Sequence, residues 1–151
     1  MPFIPLSQRD QQWASQKLGS SNLTVGRFGC TTTCISMLSS YFNCFLSPGQ
    51  IASRKEFYTK EGLIDWPKLS FSRMVFTERP RVRDDLKIME SVRSPDKGVL
   101  LNVNDGAHWV LAIRKTLFGN DYVVWDPWTG KKTTACGSYH NIVGSAHFKR
   151  A

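Results

Sequence analysis

Three side chains far apart in this sequence could together carry out acyl transfer: the thiol of Cys30, the imidazole of His108 and the carboxylate of Asp126. Cys30 follows Gly29 and stands at or just before the first turn of a predicted helix. Unpaired backbone N–H groups and the positive end of the helix dipole favour an anion there. A thiol so placed loses its proton more easily, and the thiolate is the nucleophile. Gly29 is expected to leave room for a substrate backbone to approach. The plain alternative is that Cys30 is a small buried hydrophobe. His108 opens a predicted strand straight after Asp105-Gly106, and Asp126 closes the neighbouring strand just before Pro127. In an antiparallel hairpin the start of one strand lies beside the end of the next, so the two residues can meet at one sheet edge. An imidazole held by a carboxylate is the base that a thiol nucleophile needs. A half-buried strand histidine and an Asx-turn aspartate are the structural alternatives. Three compatible contexts in one chain weaken both. Gln8, Gln11 and Gln12 stand near Trp13. One such amide could donate to a developing oxyanion, with a polar surface turn as the alternative, and spacing does not choose among the three. His140 and His147 have no evident partner and are read as structural.

The elements that must position these groups follow in two blocks. Residues 31–43 form an amphipathic helix, with Cys34, Ile35, Leu38, Tyr41 and Phe42 on one buried face. Before it, residues 2–7 read as extended and Asp10 caps a turn carrying Trp13. After it, Ser47-Pro48-Gly49-Gln50 starts a second helix with a capping box, running to about residue 55. Residues 62–69 make a loop and a short helix, 71–76 a short strand, 79–83 an extended basic stretch and 84–92 a helix. Strands are then expected over 99–103, 107–113, 122–125 and 142–148, with turns at 104–106, 118–121 and 126–130. Helices first and an antiparallel meander second make an α+β layout.

Composition bounds the possibilities. The 151 residues suit one domain, 1–151, with a substantial core. The apolar fraction of 41% and charged fraction of 21% are those of a soluble globular protein. No stretch is long enough for a membrane span. The start, Met1-Pro2-Phe3-Ile4-Pro5-Leu6, is too short and too uncharged for a signal peptide, so the chain is expected to be cytoplasmic when made. The net charge of +8 suits an anionic surface such as a bacterial cell wall. The basic residues are scattered, Arg79, Arg81 and Arg83 being the densest set, so no specific nucleic-acid partner is expected. Four cysteines without paired CxxC motifs, and histidines without ligand spacing, give no metal site and no cofactor. Cys44 with Cys136 is the one disulfide to consider, a reduced protein the alternative.

The ordered set of short segments resembles the papain-fold cysteine peptidases of the bacteriocin-processing, double-glycine leader type, in particular their stand-alone peptidase-like relatives. The segments are Gln8-Arg9-Asp10 through Trp13, Leu18-Gly19, Gly29-Cys30 with its helix, Pro48 with the second helix, Ile64-Asp65-Trp66, the strand at Val99, His108-Trp109-Val110, and Asp126-Pro127 followed by Gly130. The resemblance implies a papain-like fold with N-terminal helices packed on a C-terminal antiparallel sheet. It also implies Cys30 as nucleophile, His108 as general base, Asp126 as orienting acid and Gln8 as oxyanion donor. Two features depart from the family: Thr31-Thr32-Thr33 after the cysteine, and no transporter domain within the sequence, which argues against leader removal during export. The expectation is a monomeric cysteine hydrolase acting on polypeptide or on the peptide stem of peptidoglycan, like a phage or bacterial lysin, at the cell wall or as part of a phage particle. A catalytically inactive binding or structural module on the same fold is the alternative.

Overall fold

Strands β2 (Lys97–Val103) and β3 (His108–Lys115) are buried at most positions because both faces of the sheet are covered. A computed structural model of the chain describes residues 3–151. Pro2, the first residue of the expected extended lead-in, lies outside the described residues. The remaining strands are β1 (Met74–Glu78), β4 (Tyr122–Asp126), β5 (Lys131–Thr134) and β6 (Ile142–Arg150). They form one six-stranded antiparallel sheet in the order β1-β6-β2-β3-β4-β5. β2 to β5 run as a meander, and β6 returns to pair with β2. The architecture is α+β.

The helices are α1 (Val25–Phe28), α2 (Cys30–Tyr41), α3 (Pro48–Ala52), α4 (Asp85–Arg93) and α5 (Ala135–Tyr139). Side-chain alternation along the strands divides the core. Leu100, Leu111, Ala146 and Phe148 pack with Ile35, Leu38 and Phe42 on the α2 side. Val99, Leu101, Val110 and Val124 pack with Ile88 of α4 and Ala135 of α5 on the other. Gly98 lets α2 press onto the sheet, since a Cβ there would lie 2.4 Å from Leu38 Cδ1.

α2 differs from its expected form. It starts at Cys30, one residue early, and ends at Tyr41; Asn43 then takes φ 58°, a left-handed conformation asparagine tolerates at helix ends. It is buried on almost every side rather than along one face. That is possible because its hydroxyls find partners inside: Ser36 Oγ donates to Leu46 O at 2.6 Å, Ser39 Oγ to Ser36 O at 2.6 Å, and Thr32 Oγ1 meets Tyr58 OH at 2.7 Å. The capping box of α3 forms as read, but the helix stops at Ala52 and residues 55–57 make a separate 3-10 turn. β1 lies three residues later than expected, and 79–83 is irregular rather than extended because Pro80 O is held by Ser145 N–H at 3.0 Å. β5 and α5 are additions that the sequence did not suggest. Among the described residues no helix is long and apolar enough to cross a membrane.

Candidate active site

Cys30 is the first residue of α2, and its N–H is among those a helix leaves unpaired. Gly29 precedes it at the α1–α2 corner and is not among the residues that line the cleft. A Cβ at Gly29 would lie 2.5 Å from Val25 O, so its small size is taken up by the α1–α2 corner itself. That corrects the expected role. The tight corner is still what turns the chain so that the thiol heads the helix.

His108 opens β3 and Asp126 ends β4, and the pairing of Leu111 with Trp125 brings these two strand ends together. His108 Nε2–H donates to Asp126 Oδ1 at 3.0 Å, with both residues buried. Asp126 is fully engaged: Oδ1 also accepts the Trp128 N–H at 3.0 Å, and Oδ2 accepts the hydroxyl of Tyr139. The Tyr139 ring stands 4.5 Å from the imidazole, centroid to centroid. With Nε2 taken by the carboxylate, Nδ1 is the nitrogen left for Cys30, which lines the same cleft.

The charges follow. Burial alone would push the Cys30 thiol up; the hydrogen bond and positive charge of His108 outweigh it, helped by the Trp109 N–H and Thr31, and the thiol is held below its ordinary value. Burial alone would push His108 down; hydrogen bonds to Asp126 and Cys30, and the charges of both, carry it up to about 9. Burial raises Asp126, but His108, Tyr139 and the Trp128 N–H bring it below the usual carboxylate value. All three shifts favour a thiolate beside an imidazolium beside a carboxylate.

Gln8 reaches the same place through the Asp126 turn. Its backbone N–H donates to Pro127 O at 2.7 Å. Gly130, with φ 73°, closes that turn against Ser7, and Arg9 Nε donates to Trp128 O at 2.9 Å. The Gln8 side chain is buried; Nε2 donates to Gly26 O at 3.2 Å, which leaves its second hydrogen free, and Oε1 has no partner among the described residues. Gln8, Cys30 and His108 line one cleft of about 440 Å³, together with Trp109, Trp128 and Tyr139. Cys30 is half-buried among them.

The four residues singled out in the sequence therefore converge. Two contributors were missed: the Trp109 N–H, which helps hold the Cys30 thiol down, and Tyr139, whose hydroxyl donates to Asp126. His108-Trp109 was noted as a pair, yet a backbone donor leaves no mark in sequence. Cys34 lies one turn below Cys30, fully buried, its S–H 3.5 Å from Trp109 O, and burial pushes its thiol far up. It is no substitute nucleophile.

The other polar groups are occupied elsewhere. His147 sits between Ser91 Oγ at 2.7 Å and Ser145 Oγ at 2.8 Å, and burial pushes its pKa down. His140 ends α5 with φ 75°. All four cysteines are free, which overturns the Cys44–Cys136 pairing. Cys44 packs on the α2 side of the sheet and Cys136 on the opposite side, so the sheet separates them. Among the described residues no cluster of His, Cys, Asp and Glu could hold a metal ion. Of the densest basic set, Arg79 stacks on Trp109 at 4.6 Å and Arg83 is bound to Asp85 at 3.0 Å. No known protein family, curated protein or solved structure matches this chain.

Proposed function

We propose that this protein is a cysteine hydrolase of papain-like design that cleaves a peptide or amide bond. The reading rests on one observation: a thiol at a helix N-terminus and a carboxylate-held imidazole line one solvent-facing cleft. The papain-like fold expected from the family resemblance is supported by the same layout, a buried helix carrying the thiol against an antiparallel sheet carrying the base and acid.

The chemistry runs in two halves. The Cys30 thiolate attacks the carbonyl carbon, and the C=O electrons move to oxygen. The Cys30 N–H and the free Gln8 amide hydrogen receive that oxyanion. The His108 imidazolium gives its proton to the leaving amine as the C–N bond breaks, leaving a thioester and neutral His108. Water then gives a proton to His108 and attacks the thioester, releasing the acid and regenerating the ion pair. Asp126 stays ionised throughout and holds the ring.

Substrates of two kinds fit so far, a polypeptide and the peptide stem of peptidoglycan. The net charge of +8 supports residence at an anionic wall, as in phage or bacterial lysins. Mass spectrometry of purified peptidoglycan and of a peptide library after incubation tests the activity. New termini that appear with the native protein, and not with Cys30→Ala or His108→Ala, are expected. Full turnover by folded Cys30→Ala, or none by the native protein on either material, would overturn the proposal.

A further inference from the structure

The cleft is uneven in chemistry. Apart from the Cys30–His108 pair, Arg27 is the only charged side chain among the described residues that line it, and none of them is Asp or Glu. Arg27 is exposed, makes no ion pair among the described residues, and stands 5.5 Å from the ring of Phe28. Beside it lie three large apolar lining residues: Leu23, Phe28 and Leu63. Phe28 is 48% exposed and Leu63 is 64% exposed, and together with Leu23 they put apolar surface on one wall of the cleft.

Leu63 is held there by a built turn. Its N–H donates to Thr59 Oγ1 at 3.2 Å, and its carbonyl accepts the Thr59 N–H at 2.8 Å. Gly62 makes the turn possible. It takes φ 84°, and a Cβ would lie 2.5 Å from Ser21 Oγ. Phe28 is fixed by the α1–α2 corner, whose tightness Gly29 permits. Both exposed side chains are thus carried on constrained backbone at the cleft that holds the thiol.

From this we infer the substrate class, on the footing of the hydrolase reading: a polypeptide segment that lays a large apolar side chain against Leu23, Phe28 and Leu63 and a carboxylate against Arg27. The stem peptide of peptidoglycan offers methyl groups and chains that end in carboxyl, amide or amino groups. It would meet Arg27 but leave the apolar wall uncovered. A polypeptide carrying Leu or Phe near a Glu or Asp covers both. An adjacent Lys would meet Arg27 as a like charge with no acid in the cleft to relieve it.

The test uses internally quenched peptides that vary the apolar position (Leu, Phe or Ala) and the charged position (Glu, Gln or Lys). Two readouts are taken. One is kcat/KM with the native protein and with Arg27→Glu. The other needs no turnover: the same peptides, and purified peptidoglycan, are used to slow alkylation of Cys30 by iodoacetamide. Peptides with Leu or Phe and Glu are expected to outperform those with Ala, or with Lys, by about 10-fold or more in both readouts. Arg27→Glu is expected to reverse the order of Glu and Lys. Peptides cleaved or bound without preference, a Glu preference that survives Arg27→Glu, or protection by peptidoglycan and not by peptides would each overturn the inference while leaving the hydrolase intact. Alkylation of Cys30 at the rate of an ordinary thiol, with nothing cleaved, would overturn both.

Discussion

Replacing Asp126 by Asn changes one atom and removes the anion that holds His108 charged. In the native protein the imidazole is lifted from 6.5 to about 9 although burial opposes the charge. That lift corresponds to about 3 kcal/mol in favour of the protonated ring. Asp126 and Cys30 are its two sources, each through a hydrogen bond and a charge. Asn keeps an oxygen for the His108 N–H, but its amide nitrogen cannot accept the Tyr139 hydroxyl that Oδ2 now takes. Loss of about 2 kcal/mol lowers the equilibrium constant for the thiolate–imidazolium pair roughly 30-fold. The assay is the rate of Cys30 alkylation by iodoacetamide across pH, read by intact mass, with near-ultraviolet circular dichroism to confirm the fold. The upper step of the rate profile, where His108 loses its proton beside the thiolate, should fall from about 9 by about 1.5 units in Asp126→Asn. A folded variant whose midpoint stays at the native position would refute the reasoning, because the carboxylate would then have no part in charging the ring.

Three further outcomes follow from the same geometry. Gln8→Ala should lower kcat by about 10²- to 10³-fold with little change in KM, since the amide acts on the oxyanion and not on the bound substrate. Tyr139→Phe keeps the ring beside the imidazole and removes a donor to Asp126. The carboxylate, less satisfied, then holds the His108 proton more tightly. The alkaline limb of kcat/KM, set near 9 by His108, should move up by roughly one unit, the lost charge-assisted hydrogen bond being worth about 1.5 kcal/mol. Gly98→Ala pushes a methyl into Leu38 at 2.4 Å, in the core far from the thiol. It should cost about 1–3 kcal/mol in urea unfolding without shifting the alkylation profile.

What could be read from the sequence was set by short-range chemistry. Asp105-Gly106 and Asp126-Pro127 fix where two strands begin and end, and antiparallel pairing does the rest, so His108 and Asp126 could be placed together in advance. Gly29 and the periodic residues after it marked the start of α2 to within one residue. Illegible parts depend on distant partners. Ala135-Cys136-Gly137-Ser138-Tyr139 has a glycine at its centre and no apolar period; it is helical because Asp121 Oδ1 and Oδ2 accept the N–H groups of Cys136 and Gly137 at 2.8 and 3.1 Å. With α5 unseen, Tyr139 could not be found. β5 is a polar edge of lysines and threonines that does not alternate, a composition suited to an edge strand. The full burial of α2 was hidden because its serines look like surface residues until their internal acceptors are known.

A sulfur that ionises more readily than an ordinary cysteine is the premise of everything proposed here. The ultraviolet absorbance of the thiolate, recorded across pH for the native protein and subtracted by that of Cys30→Ala, measures it without any substrate. The account predicts a step below the ordinary cysteine value, which moves upward in His108→Ala. A step at or above that value in the native protein, unmoved when His108 is removed, would contradict it.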